Sequence, residues 1–499
     1  MNNIIEILFE NAKKYPDKIA IVHKNKKITY REFLVKTLNY SQHFLSKGLS
    51  KGDNILIFTP MSIELYIILA AVFNIGAAAV FLDAWADKKR LEEALTIVPC
   101  KAFLGCPKAY ILKLFSSKIR EIPLNFVSGF IKKVKTNIEI PNVDSKDTAL
   151  ITFTTGSTGF AKAANRTHGF LLEQHRILKK HLKPEINDVD LVSLPIFVLH
   201  NLACAVTSVI PDFNPRKPSK FNPKKVLRDI KKYNVTTSVG SAAFYENLVK
   251  KQKIGGIKRI FTGGSPVFPK AAKKLRENFI NSQIEIIYGS TEAEPISSIS
   301  ASSLIANTKD LKKGLLVGKP IEEIDIRIIK PTDEKIEDFE SSIVENGVVG
   351  EICVAGDHVL KEYYNCDTAQ EFAKINYNGN IYHRTGDGGF LDENGNLFLV
   401  GRIKNRFQYK DKTFYTFPIE NALLEIPGVE MGTILRINSL VVIVLESKLP
   451  KEQLAKTLID RGFELDKLIV TKIPRDKRHN SKIDYEKLKN SIISYCTNP

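Results

Sequence analysis

From Leu65 to Leu82 the sequence LYIILAAVFNIGAAAVFL runs for eighteen residues without a formal charge. That is near the lower bound for a helix that crosses a bilayer. Asn74 and Gly76 interrupt it, Asp53, Glu64, Asp83 and Asp87 flank it, and no basic anchor comes before Lys88. The pattern predicts a buried helix over 63–74, a glycine turn and a buried strand over 77–82, and at most peripheral membrane contact. Around it, helix and strand signals alternate. Helices are expected at the N-terminus and over 30–47, 88–98 and 108–117, a hairpin over 19–22 and 26–29, and strands over 54–59 and 101–105. Such alternation argues for an α/β fold with doubly wound sheets.

The alternation resumes further on, with helices over 167–180, 224–233, 242–251 and 270–278 and strands over 191–197, 236–239, 258–262 and 284–287. Residues 211–223, with four prolines, read as a surface connection. Residues 313–365 alternate apolar and polar with glycine turns and predict a β-rich subdomain. From 402 the character changes to a small α+β unit, with helices over 418–425, 451–461 and 485–493 and strands over 432–437 and 440–445. The expected division is a large domain over 1–401 and a small one over 402–499.

Between the two blocks lies Thr154-Thr155-Gly156-Ser157-Thr158-Gly159, with Lys162 soon after. A strand running into a loop of glycines and hydroxyls can turn several backbone N–H groups on one anion. Glycine lets the main chain approach phosphate oxygens, and Lys162 adds a point charge. The loop suits a polyphosphate, most simply the β and γ groups of ATP. It is not a Walker A loop, whose lysine directly follows a glycine. A lone turn of this composition is ordinarily a surface turn, but seven matched positions are more specific than that.

Other strand ends carry further candidates. Gly263-Gly264-Ser265 follows the strand over 258–262, and Tyr288-Gly289-Ser290-Thr291-Glu292 follows that over 284–287. Strand ends are where α/β folds hold ligands. The Tyr288 ring could stack on a base, Thr291 offers a hydroxyl, and Glu292 offers an oxygen ligand for Mg²⁺. Asp387 could take both hydroxyls of a ribose, and Gly401-Arg402 ends the strand over 397–400. Lys482 lies in a polar turn before the last helix, where alone it reads as a surface lysine.

Lysine and arginine number 73 against 55 acidic residues, a net charge of +18. The basic residues are scattered, so the balance is compatible with ATP, pyrophosphate and a carboxylate as partners, and nucleic acid is not expected. None of the six cysteines forms a CxxC pair, and no His/Cys cluster has zinc spacing. Reduced thiols in a cytoplasm are the plain reading, and the N-terminus lacks a signal-peptide core.

TTGSTGFAK, YGSTE, HRTGD with Gly401-Arg402 beyond it, and Lys482 before Ile483-Asp484 occur in this order. Together they resemble the adenylate-forming, AMP-binding superfamily across essentially the whole chain. THGFLLEQH, VIPDFNPRKP, YGSTEAEPIS, GEICVAG and PRDKRHNSKID are similar, more narrowly, to long-chain fatty-acid–CoA ligases and olefin β-lactone synthetases. The resemblance implies a large N-terminal domain of three subdomains and a mobile C-terminal lid hinged near Arg402–Lys404. It implies that a fatty acid, with or without a β-hydroxyl, attacks the α-phosphorus of ATP to give an acyl adenylate. Residues 154–162 would then hold pyrophosphate, Glu292 would hold Mg²⁺, Tyr288 and Gly263–Ser265 would frame adenine, and Asp387 and Arg402 would hold ribose. Lys482 would reach the carboxylate and α-phosphate, and His200 would border the carboxylate.

The acceptor implied is CoA or a carrier-protein thiol. A β-hydroxy acid could instead close to a β-lactone without CoA. Most relatives have a glycine-containing turn past the hinge, whereas this chain has no glycine from 402 to 420. Two readings from other classes remain on sequence grounds: an ADP-forming phosphotransferase, told apart by its nucleotide product, and a polyanion-binding protein, told apart by a steep salt dependence.

Overall fold

The computed structural model describes residues 3–82, 88–131, 138–155, 161–213, 221–250, 252–307, 313–476 and 481–497. One sheet has six strands, in the order Leu124–Val127, Ala102–Gly105, Asn54–Phe58, Ala78–Phe81, Thr148–Thr155, Ala161–Thr167. Its neighbours run parallel except the last two, which form a hairpin. In the second and larger sheet, Thr207–Ile210, Val189–Val192, Thr237–Ser241, Arg259–Gly263 and Gln283–Tyr288 lie side by side and parallel. Beyond Gln283–Tyr288 the sheet turns antiparallel, through Ser297–Ser300, Leu315–Pro320, Leu397–Arg402, Asn380–Leu391, Gly350–Ala355 and Asp325–Ile329. The expected β-rich subdomain is therefore continuous with the larger sheet.

The uncharged stretch forms the helix Ile63–Asn74 and the strand Ala78–Phe81. Ser62 caps the helix by accepting from the Leu65 N–H, satisfying one of the donors a helix start leaves over. Leu65 to Asn74 are all buried. Ile67 and Ala71 share one core with Val239, Phe261 and Ile287 of the larger sheet. An element apolar all round is thus covered all round, by protein. No helix among the described residues is long and apolar enough to cross a membrane.

Two expectations are corrected near this core. The apolar run 191–197 is a strand only over Val189–Val192; Pro195 opens a helix, Pro195–Ala203. Proline at the first helical turn gives up no hydrogen bond, because that N–H would be unpaired anyway. Lys162 lies in the strand Ala161–Thr167, ahead of the helix His168–Leu182.

The small C-terminal unit has the sheet Val429–Ile437, Leu440–Ser447, Lys467–Val470, with an apolar cluster on each face. The strand Lys467–Val470 and the hairpin Phe407–Tyr409/Lys412–Phe414 carried no clear sequence signal. Lys410 and Asp411 turn that hairpin with φ of 47° and 58°. These left-handed values ordinarily fall to glycine, asparagine or aspartate, so Lys410 is the residue that takes the turn at a steric cost. Arg402 is the last residue of the strand Leu397–Arg402 in the larger sheet.

Candidate active site

A cavity of about 2530 Å³ opens where the two sheets and the C-terminal unit meet. It is lined by Lys162, Gly263, Gly264, Ser265, Tyr288, Gly289, Ser290, Thr291, Glu292, Asp387, Arg402 and Lys482. One chamber thus gathers residues far apart in sequence. Gly156, Ser157, Thr158 and Gly159 lie outside the described residues, as do the side chains of Thr154 and Thr155. The backbone pairing of Thr154 with Lys162 brings the two ends of that loop together at the cavity wall.

One end of the cavity is a closed hydrogen-bonded group. Asp387 and Arg402 are direct partners across two antiparallel strands. The Arg402 Nε lies 3.1 Å from one Asp387 oxygen, and the Tyr288 hydroxyl donates to the other at 2.8 Å. Arg402 also donates to the Thr385 carbonyl at 2.9 Å. Each carboxylate oxygen keeps a further lone pair for an incoming hydroxyl. Asp387 holds the Arg402 guanidinium firmly charged, and burial raises the Tyr288 phenol well above its ordinary value. Behind them, a buried Arg384–Glu351 pair at 2.6 Å fixes the turn, with Glu351 accepting from the Gly386 N–H at 3.2 Å. At Gly263 a Cβ would come within 2.6 Å of the Ile287 carbonyl, so glycine lets the backbone pack this closely beside the cavity. Among the described residues the buried Ser265 and Thr262 hydroxyls have no hydrogen-bond partner.

The other end is cationic. Lys162 is only 4% exposed, and its Nζ lies 5.6 Å from the centre of the Tyr363 ring. Burial lowers its pKa, while Glu292 acts to raise it. Lys374 reaches the same ring from 5.2 Å and donates to the Leu360 carbonyl. Burial brings its pKa down to about 7 against the pull of Glu292. Burial alone would raise the Glu292 carboxyl, but neighbouring positive charge and a 3.1 Å hydrogen bond from Tyr363 hold it at about 2. His383, pushed down to about 3 by burial and by Lys374, is neutral at neutral pH, which leaves lysine and arginine side chains to supply the positive charge. Glu292 is therefore an ionised carboxylate at the cavity wall, a donor that fits a hard divalent cation such as Mg²⁺.

Lys482 lines the cavity from the C-terminal unit. Its backbone is clamped to Asp476, donating to the carboxylate at 2.9 Å and accepting from the Asp476 N–H at 2.8 Å. His200 is not brought to the cavity. Because the helix starts at Pro195, the wall receives Pro195, Ile196, Phe197 and Leu199, while His200 is buried against His175 and Cys204.

Sequence reasoning missed Arg166, Tyr363 and Lys374. Arg166 lines the cavity and donates to the Thr291 carbonyl at 3.0 Å. It lies four residues past Lys162 in one strand, and the two-residue strand repeat that places both on one face was the available signal. Lys374 has no local signal, since it approaches the site through pairing with His383.

The remainder of the cavity is apolar, with Phe58, Met61, Leu65, Leu69, Phe81 and Leu112 in its wall.

A family model described as AMP-binding enzyme matches residues 8–364. An olefin β-lactone synthetase of Stenotrophomonas maltophilia (strain K279a) is 26% identical over 536 residues, covering 97% of each chain. A 2-succinylbenzoate–CoA ligase of Oceanobacillus iheyensis (strain DSM 14371) is 28% identical, over 85% of this chain and 84% of its own. Among solved structures, the O-succinylbenzoate coenzyme A synthetase of Bacillus subtilis in complex with ATP and magnesium ion superposes with a TM-score of 0.80. It is 20% identical and covers 98% of this chain and 99% of its own.

Proposed function

The chain belongs to the AMP-binding enzyme family and is an adenylate-forming ligase, and on that premise we propose that it activates a fatty acid, with or without a β-hydroxyl, with ATP. The products of the first step are an acyl adenylate and pyrophosphate. The observation that carries this reading is the pairing of a cationic pocket and an apolar wall in one cavity that Lys482 enters from the C-terminal unit. A carboxylate attacking a phosphate is anion against anion. Neutralisation and in-line placement are then the main demands on the protein.

In this reading Lys162 and the 154–159 loop receive the departing pyrophosphate. Glu292 holds Mg²⁺, which supplies charge neutralisation on the phosphates when bound. Tyr288, Gly289, Ser290 and Gly263–Ser265 frame the base, and Asp387 and Arg402 take the ribose hydroxyls. Thr291 helps position the phosphates, and Lys482 steadies the carboxylate and α-phosphate oxygens as they meet. The domains divide at 401/402, and the tail beyond swings as a lid. The substrate class follows from the apolar wall.

For the second step, transfer to the thiol of CoA, or of a carrier protein, is the reading its ligase relatives support. A second reading, closure of a β-hydroxyacyl adenylate to a β-lactone, is favoured by the glycine-free turn at Lys410-Asp411 and by the near full-length match to a lactone synthetase.

The test is carboxylate-dependent exchange of labelled pyrophosphate into ATP with medium- and long-chain acids, with and without a 3-hydroxyl. Lys482→Ala is expected to lower it about 10²–10⁴-fold. Release of ADP, or no exchange with any such acid, would refute the proposal. Product masses with and without CoA then separate thioester from lactone.

A further inference from the structure

The correction at Pro195 exposes a cluster the sequence conceals. His200 and Cys204 are four residues apart at the end of the helix Pro195–Ala203, whose C-cap is Cys204. That spacing puts both on one face. His175 comes from the neighbouring helix His168–Leu182. The two Nδ1 atoms are 3.1 Å apart, and the Cys204 Sγ is 3.6 Å from the His200 Nε2. Taking one ligand atom from each residue, all three lie within 4.8 Å of one another.

We propose that His175, His200 and Cys204 form a binding site for a Zn²⁺-class transition metal ion, separate from the proposed nucleotide site. A tetrahedral zinc ion with bonds of about 2.0–2.3 Å holds its ligand atoms roughly 3.3–3.8 Å apart. Rotation of the rings and thiol over about 1 Å reaches that geometry. One thiol, two imidazoles and no carboxylate select a borderline-soft ion over Mg²⁺. Burial and Lys179 keep the His175 imidazole neutral, down at about 4, and burial lowers His200 likewise. Neutral imidazole is the ligating form.

Burial pushes the Cys204 thiol up to about 12. Without metal it keeps its proton; on binding, the S–H bond gives way to an S–Zn bond and one proton passes to solvent. His200 is buried, and His175 and Cys204 are each largely buried. The charge of Lys179 acts on all three residues, so a cation must be held here by ligand bonds rather than by charge. The same helix contributes Pro195, Ile196, Phe197 and Leu199 to the cavity wall, so an ion here would brace that wall.

The test uses the full chain, stripped with chelator, loaded with Zn²⁺ and desalted, with metal read by mass spectrometry. Co²⁺ loading provides a spectroscopic check. The expected result is one zinc per chain, a sulfur-to-cobalt charge-transfer band, and about one proton released per zinc bound. Cys204→Ser should abolish the band, and Cys204→Ser and His175→Gln should each weaken zinc about tenfold or more. Cys100→Ser should change neither. Circular dichroism and melting curves confirm that the variants fold. Retained zinc below one-tenth equivalent, or binding indifferent to both Cys204→Ser and His175→Gln, overturns the proposal. Neither readout depends on the proposed ligase activity.

Discussion

The two polar ends of the cavity are built on opposite plans. At the Asp387 end, charge is matched: one carboxylate, one guanidinium and one phenol satisfy one another within 3.1 Å. At the Lys162 end, Lys162 in the wall and Lys374 behind it both act on a single glutamate, and burial pulls both lysines towards their neutral forms. The first arrangement is finished before a ligand comes and supplies shape. The second stores unfavourable desolvation that a polyanion relieves, since added negative charge favours the ionised lysines. On the proposed reading, rigid recognition of a sugar and avid capture of a polyphosphate call for these two plans in turn.

The sharpest way to break the contrast is at the cationic end. Lys162→Ala is expected to lower kcat/KM for ATP in the exchange assay about 10²–10³-fold, with little loss of melting temperature, because the lost group was costly to bury. Asp387→Ala should raise the KM for ATP about 10–100-fold, the worth of hydrogen bonds to a charged group, and kcat should move less than for Lys162→Ala.

Lys374 sharpens the comparison through pH. Its proton is held more weakly in the folded chain, at about 7, than at the ordinary 10.5. Between these values the unfolded chain binds the extra proton, so stability rises with pH across that window. Lys374→Met should flatten the rise by on the order of 1–3 kcal/mol, read from urea unfolding at pH 7 and pH 9.5. Glu420 gives the opposite and smallest effect. It is buried on the helix Thr416–Leu424, accepts from Thr433 at 2.7 Å and from Tyr485, and burial raises it to about 7. Its contribution is present in full below pH 4.5 and is lost as pH rises through 7. Glu420→Gln should remove roughly 1 kcal/mol of that decline.

The closed end was more legible in the sequence than the cationic one. Tyr288 and Arg402 each end a strand and Asp387 lies within one, but all three sit inside short motifs, so local pattern sufficed. Lys374 is brought in by strand pairing, Tyr363 lies outside the motifs, and Arg166 needed the strand Ala161–Thr167 to be recognised. His200 was misplaced for a related reason. An apolar run cannot say whether it is strand or helix, and His200 is buried against His175 and Cys204 instead of lining the wall. The same ambiguity hid the His175–Cys204 cluster, whose members meet only when two helices pack. The uncharged stretch 65–82 was read correctly because its helix and strand both needed complete covering.

The pairing of Asp387 with Arg402 is the last rung before the chain leaves the larger sheet. Under the proposed function, everything that grips the sugar is anchored on the near side of that rung, and the lysine proposed to complete the chemistry, Lys482, lies eighty residues past Arg402. In the proposed reading, a different tail grafted after residue 402 would change the fate of the activated acid while the hold on the nucleotide stayed the same. Holding and spending the activated group are thus separately heritable.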